Sequence, residues 1–299
     1  MTKKLDWDLL PSFLAVARAG KLTLAARRLG VDHSTLSRRL TALEDTLGAK
    51  LFERQMAGYA LTAQGEALLA QVEGIESAVL VLQSGVGQSD SQVSGTVRIG
   101  APDGFGTAFL ASVIGELMDA QPELRIELVA MPRSFSLSRR EADIVVSLSR
   151  PDHGRLVSRK LTDYELGLYA APALAAQVSA LEDLAALPFI AYIDDLLYAP
   201  ELDYVPLVSR QIEPRLRSAN LMAQYQAALA GAGLVILPCF LVNGDQRLVR
   251  LLHQEVALVR SFWMTVHSDL RDLARIRVTC AFIAQAVTRQ AGRFMPPRA

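Results

Sequence analysis

Leu36, Leu40, Leu43 and Leu47 recur at steps of four, three and four between Asp32 and Gly48. At about 100° per residue this spacing lines one face of an α-helix. Asp32 suits the start of that helix and Gly48 its end, because a short acidic side chain caps free amides and glycine accepts the left-handed exit. Just upstream, Leu24 to Leu29 predicts a short helix capped by Thr23, with Ala25, Ala26 and Leu29 turned inward and Gly30 at its exit. Before it, Asp8 caps a first helix that tolerates Pro11 in its first turn, buries Leu10, Phe13, Leu14 and Ala17, and stops at Gly20. Two helices joined by Gly30-Val31-Asp32, the first of them short, predict a helix-turn-helix.

The face opposite the leucines carries Ser34, Ser37, Arg38 and Thr41. These are short polar side chains and one arginine at the N-terminal end of the helix, the end that enters a DNA major groove in this motif. A merely solvated face is the plain alternative. The preceding short helix, the glycine turn and a local basic surplus together favour the first reading. Residues 1–65 hold ten Lys and Arg against six Asp and Glu, whereas the whole chain balances at 31 of each, so a basic head precedes an acidic body. Next, Leu51-Phe52-Glu53-Arg54 and the run Gln55 to Thr62, with Gly58 between two leucine-containing segments, read as a β-hairpin wing with Arg54 placed to hold a phosphate.

Thr62 predicts the cap of a fourth helix, in which Leu68, Val72, Ile75, Val79, Leu82 and Val86 alternate steps of four and three. That is an a/d heptad stripe. With no second heptad run in the chain to pair with it, self-association is expected, packing on the chain's own body being the alternative. The polar, turn-rich run Gln88 to Thr96 predicts a linker.

Beyond it, strand and helix alternate. Val97 to Ile99, Arg125 to Val129, Asp143 to Leu148, Phe189 to Ile193 and Gly233 to Leu237 read as strands. Phe109, Leu110, Val113, Ile114, Leu117 and Met118 form a helical face, and Asn220 caps a later helix. This order predicts an α/β body with mostly parallel strands.

Several function classes are disfavoured. No glycine-rich phosphate loop, no Gly-x-Ser-x-Gly elbow and no His, Asp and Cys constellation stands out, so the chain is not expected to be an enzyme or to carry a cofactor. Asp194-Asp195 are adjacent on an extended segment and point to opposite sides, which is poor geometry for an acid/base pair. Cys239 and Cys280 sit among apolar neighbours and read as buried thiols, and His33, His153, His253 and His267 lack metal-ligand spacing. The longest apolar stretch, Ala227 to Val242, is broken by Gly231, Gly233 and Pro238 and falls short of the roughly 20 residues of a membrane span. The start, Met1 to Asp8, has no signal-peptide h-region, so a cytoplasmic location and no membrane partner are expected, against a secreted transport receptor.

The runs Phe13 to Ala17, Ala25 to Val31, Leu36-Ser37-Arg38, Leu43-Glu44, Leu47-Gly48, Leu51 to Arg54 and Leu61 to Glu66 resemble, in order and spacing, the head of a LysR-type transcriptional regulator. The resemblance implies that His33, Ser34, Ser37 and Arg38 face the bases of double-stranded DNA and that Arg54 and the wing touch the backbone. The chain departs from the family at His33, where glutamine is usual, and at Ser34, where proline is usual, and its wing lacks the common basic residues. The resemblance further implies a homodimer through the fourth helix, a homotetramer in many members, and RNA polymerase as a further partner.

The resulting expectation is an α+β chain. It has an all-α winged helix-turn-helix in 1–62, a long dimerisation helix in 63–88, a hinge in 89–96 and an effector-binding domain in 97–299. The domain resembles a type 2 periplasmic binding protein, with lobe I in 97–163 and 265–299 and lobe II in 164–264, crossed near Tyr164 and Met264. Clefts in such sheets lie beyond the carboxyl ends of strands, near helix N-termini. Here that selects Pro102, Asp103, Gly104, Arg133, Ser134, Ser147, Asp194 and Asn220 for a small-molecule effector. Arg133 with helix N-termini suits a carboxylate, Asp103 and Asp194 suit an amine or discourage anions, and the sequence does not choose. Capping or turn duty explains each residue at least as well.

Overall fold

Residues 4–56, 58–85, 93–131, 133, 141–151 and 155–296 are described by a computed structural model. They divide into two units, one containing residues 1–88 and the other nearly all of 89–299.

In the first unit Asp6, not Asp8, opens the chain: its Oδ1 accepts the Asp8 amide at 3.0 Å and starts a single 3₁₀ turn, Trp7–Leu9. Helix α1 (Leu10–Ala19) follows, then α2 (Leu22–Leu29) and α3 (His33–Leu47). Between α2 and α3, Gly30 has φ +66°, and the Val31 amide reaches back to the Ala26 carbonyl at 3.1 Å. A left-handed residue with this backward bond ends α2 sharply enough for α3 to turn off it. Phe13, Ala25, Leu36 and Leu43 are fully buried in one core with Leu14, Ala26 and Leu40. The stripe on α3 therefore packs as expected through three leucines, while Leu47 remains 40% exposed.

Strands β1 (Phe52–Gln55) and β2 (Gly58–Leu61) pair antiparallel as the wing, with Arg54 opposite Tyr59. Thr62 caps α4 (Ala63–Gly85): its Oγ1 accepts the Gly65 amide at 3.0 Å and donates to the Lys50 carbonyl at 2.7 Å. The first half of α4 belongs to the head. Val72 is buried in the head core, Leu68, Leu69 and Ile75 pack against it, and Arg18 of α1 grips Glu76 through two bonds of 3.0 and 2.7 Å. Val79 and Leu82 stay 43% and 64% exposed. The heptad stripe is thus divided: its N-terminal part covers the helix-turn-helix, and its later part is open. Val86, its last member, lies outside the described residues.

The second unit is built on one mixed sheet. Its strands are β3 (Gly95–Ala101), β4 (Leu124–Ala130), β5 (Ile144–Ser147), β6 (Leu156–Ala170), β7 (Phe189–Ala191), β8 (Leu216–Arg217), β9 (Leu234–Pro238), β10 (Val249–Leu251) and β11 (Ala257–His267). The order is β4-β3-β5-β11-β6-β9-β7-β8, with β10 also on β6. Strands β3, β4 and β5 are parallel at one end, as are β7, β8 and β9 at the other. Between the two groups run β6 and β11, antiparallel to each other and to β9 and β5 respectively. The sheet is therefore less parallel than expected, because two long crossing strands occupy its centre.

A β-bulge and an aromatic cluster adjoin where β6 and β11 pair. Register between β6 and β11 shifts by one residue, Phe262 standing opposite Thr162 and Trp263 opposite Lys160. Just beyond, Tyr164 stacks on Phe262 with ring centroids 4.2 Å apart and an interplanar angle of 15°. Phe105 packs on Phe109, Phe240, Phe262 and Phe294 at 4.7 to 6.5 Å. Aromatic pairs at these separations favour tilted and edge contacts over free sliding. Phe105 after β3, Phe240 after β9 and Phe262 of β11 thus join one aromatic cluster. Three helices matter for the site: α5 (Ala111–Ala120), reached through a π-helical turn Phe105–Leu110, α6 (Leu221–Leu229) and α7 (Ala274–Arg289).

Candidate DNA-reading face and effector cleft

Burial of Leu36, Leu40 and Leu43 decides which side of α3 faces out. His33, Ser34, Arg38 and Thr41 are exposed and Ser37 is half-buried. Thr41 Oγ1 donates to the Ser37 carbonyl at 3.2 Å. The two neighbouring arginines separate in role. Arg39 leans on α1, with Nη1 3.5 Å from the buried Ser12 hydroxyl, whereas Arg38 projects into solvent from the polar face. Lys21, Arg27, Arg28, Lys50 and Arg54 are exposed on the same unit, a supply of cations for phosphates beside the reading side chains.

The wing is braced rather than loose. Arg54 Nε donates to the Tyr59 hydroxyl at 3.1 Å, and its guanidinium lies 5.6 Å from the Tyr59 ring centre. Phe52 packs between Phe13 of α1 and Tyr59, at 5.4 and 5.9 Å. At the base of the hairpin Glu44 of α3 accepts from the Leu51 amide at 2.9 Å and from Lys50 Nζ at 2.6 Å. Burial alone would raise the Glu44 carboxyl, but Lys50 and the Leu51 and Phe52 amides outweigh it and hold it below the ordinary glutamate range. In the sequence Glu44 stands out only through the family resemblance; its partners become visible once α3 and the wing meet.

In the second unit a cavity of about 250 Å³ is lined by Pro102 after β3, Arg133 after β4 and Ser147 at the end of β5. Val145, Val146, Leu148 and Leu156 add apolar wall, and Tyr198, Ala199 and Pro200 close it from the β7 side. Three of the residues selected from strand ends thus come together. Ser147 Oγ donates to the Ser149 carbonyl at 2.7 Å, and Arg150, also in the lining, lies 5.9 Å from the Trp263 ring centre. Tyr198 and Arg150 were not anticipated: each sits in a short turn whose place in the fold no local pattern announces.

The other selected residues are arranged differently. Asp103 and Gly104 meet the start of α6, where the Leu221 amide donates to Asp103 Oδ2 at 2.7 Å. Asn220 caps that helix, its Oδ1 accepting the Ala223 amide at 2.9 Å. Asp194 lines a separate cavity of about 270 Å³ with Tyr192, Tyr204 and Gln224, and pairs with Arg217 at 2.5 Å. Ser134 lies outside the described residues. Elsewhere Cys239 is buried, receiving the Tyr169 hydroxyl at 3.2 Å, and burial pushes the Cys280 thiol up to about 11. Thiols so shifted remain protonated and unreactive near neutrality. No helix among the described residues is long and apolar enough to cross a membrane.

Known proteins share both units. Residues 7–66 match the family of bacterial regulatory helix-turn-helix proteins of the lysR type, and residues 90–288 match the LysR substrate binding domain. The Mau operon transcriptional activator of Paracoccus denitrificans is 30% identical over 280 residues, covering 92% of this chain and 94% of that protein. The transcriptional activator TtdR of Escherichia coli is 26% identical over 310 residues, covering 96% of each. Among solved structures, a full-length OxyR variant of Pseudomonas aeruginosa superposes with a TM-score of 0.68 at 17% identity, over 95% of this chain and 98% of that one. CrgA of Neisseria meningitidis gives 0.58 at 22% identity, over 94% and 99%. With a DNA-binding helix-turn-helix at one end and a substrate-binding effector domain at the other, the chain belongs to the LysR family of transcriptional regulators, which are not enzymes.

Proposed function

We propose that His33, Ser34, Ser37, Arg38 and Thr41 read base edges in the major groove while Arg54 holds a phosphate at the foot of the wing. The observation that carries this reading is the division of α3: three leucines sealed in the head core and these polar side chains turned away from it. Phosphate contacts set the register of the head on the duplex, and the α3 contacts select the sequence. Two heads joined through the open part of α4 at Val79 and Leu82 make a homodimer that reads paired half-sites. A homotetramer, contact with RNA polymerase and a cytoplasmic location fit the same reading.

The effector is a small organic anion held in the cavity of Pro102, Arg133, Ser147 and Tyr198. Arg133 and Arg150 contribute the charged groups of its lining, the serines add hydroxyls, and the remaining wall is largely apolar. A ligand bound more tightly by one lobe arrangement shifts the population toward it, and that shift moves the heads on DNA.

Footprinting of the full-length chain on its own upstream region tests the head. Protection of two half-sites that weakens as salt rises is expected. Binding that ignores salt, or that survives unchanged in R38A, overturns the assignment. Thermal-shift titration of the full chain with small carboxylates tests the cavity: a stabilising ligand lost in Arg133→Ala supports it, and a ligand indifferent to that change refutes it.

A further inference from the structure

The nine-residue helix α6 leaves the amides of Leu221, Met222 and Ala223 without helical partners, and those amides with the helix dipole make a seat for an anion. In this chain the seat is taken. Leu221 donates to Asp103 Oδ2, Ala223 donates to Asn220 Oδ1, and the Met222 amide is near enough to help hold the Asp103 carboxylate.

Asp103 is not local to that helix. It follows β3, at one end of the sheet, and lies 118 positions before Leu221. Its side of the contact is tightly fitted. Asp103 is 3% exposed, and a Cβ on Gly104 would lie 2.4 Å from Leu221 Cδ2. Tyr192, Tyr198 and Tyr204 all lie within its electrostatic reach. Tyr198 also walls the cavity of Pro102 and Arg133, while Tyr192 and Tyr204 wall the cavity of Asp194. The carboxylate thus lines neither cavity, although it influences tyrosines in the walls of both.

We propose that Asp103 is a positioning and specificity residue: a built-in anion that fills the seat on α6, ties the β3 end of the sheet to α6 without any ligand, and turns anionic effectors away from that helix terminus toward Arg133 and Arg150. This rests on the cleft assigned above. A free carboxylate brought to α6 would meet Asp103 at contact distance, and two carboxylates sharing one site repel. Burial pushes the Asp103 carboxyl up, and the amides of Leu221, Gly104 and Met222 offset this only in part.

Chemical rescue tests the proposal. In full-length D103A the seat is emptied, and hydrogen exchange at Leu221 and Met222 should quicken by about tenfold or more relative to the wild-type chain. Sodium acetate, compared with sodium chloride at equal ionic strength, should restore their protection in the variant and leave these two amides unchanged in the wild type. A residue that merely stabilised the fold would show faster exchange with no response to acetate, and that result overturns the proposal. Should D103A not fold, Asp103→Ser empties the seat more gently, and acetate-restored protection at Leu221 and Met222 in that variant supports the proposal while exchange indifferent to acetate refutes it. The readout needs neither DNA nor effector, so a failed carboxylate titration at Arg133 would count against the cleft reading while leaving the Asp103 contact to be judged separately.

Discussion

The Gly20 carbonyl accepts the Tyr59 amide at 2.7 Å, and a Cβ on Gly58 would lie 2.2 Å from the same oxygen. The wing is thereby fastened to the end of α1 through a contact that only a residue without a side chain permits. Gly58 also has φ +139°, a conformation that other residues adopt with strain.

Gly58→Ala should therefore loosen the wing and lower the stability of the head by roughly 1–3 kcal/mol. Chemical denaturation followed through Trp7, which lies in the head, measures this. An unchanged midpoint would show that the hairpin adjusts its path at little cost.

Arg38 and Arg54 should differ in the kind of loss they cause. Arg38→Ala removes a side chain proposed to read base edges, so specific binding should weaken by about 1–3 kcal/mol with binding to unrelated DNA little changed. Arg54→Ala should weaken both alike and make the salt slope shallower by about one unit. Fluorescence anisotropy on operator and scrambled duplexes across a salt series separates the two patterns; the same pattern for both variants would contradict the assignment.

Glu44 supplies a pH dependence with a defined sign. Its carboxyl is held below the ordinary glutamate range in the fold. The contribution is therefore complete above the unfolded value and is lost as pH falls through the folded one. Acid unfolding of the head should lose part of its steepness just below the usual glutamate range in Glu44→Gln, which should also start from lower stability at neutral pH. Parallel acid profiles for the two proteins would remove Glu44 as a cause.

Local periodicity made the head legible, and long-range pairing limited the rest. Leu36, Leu40 and Leu43 announce a buried face because their spacing matches the helix itself, and Asn220 announces a cap because its partner is three residues away. Asp103 could be placed near a strand end, yet its partner Leu221 is too distant in sequence for any local pattern to show. Strand β6 was missed for a related reason. Its first half carries Arg159, Lys160, Thr162 and Asp163 and is only partly covered, so the alternation that marks a strand is blurred until Tyr164. The heptads of α4 show a third limit, since a stripe records that something covers it and not what. The head itself covers Leu68, Val72 and Ile75.

That division of α4 separates two effects that a uniform coiled coil would mix. Leu82 is exposed on the single chain and Val72 is 2% exposed within the head core. In the proposed dimer, a glutamate at position 82 puts charge into the seam, where burial without a partner is costly, yet it disturbs nothing inside the head. Leu82→Glu should therefore sediment as a smaller species at micromolar concentration with the unfolding midpoint of its head preserved. Linked half-sites gain roughly 10²–10⁴ in avidity, so operator binding should fall by a factor in that range while the isolated half-site is bound as before. Val72→Glu should do the reverse in order, unfolding the head first and losing all DNA binding with it. An L82E protein that keeps its sedimentation coefficient and its operator affinity would place the dimer contact elsewhere than on the open part of α4.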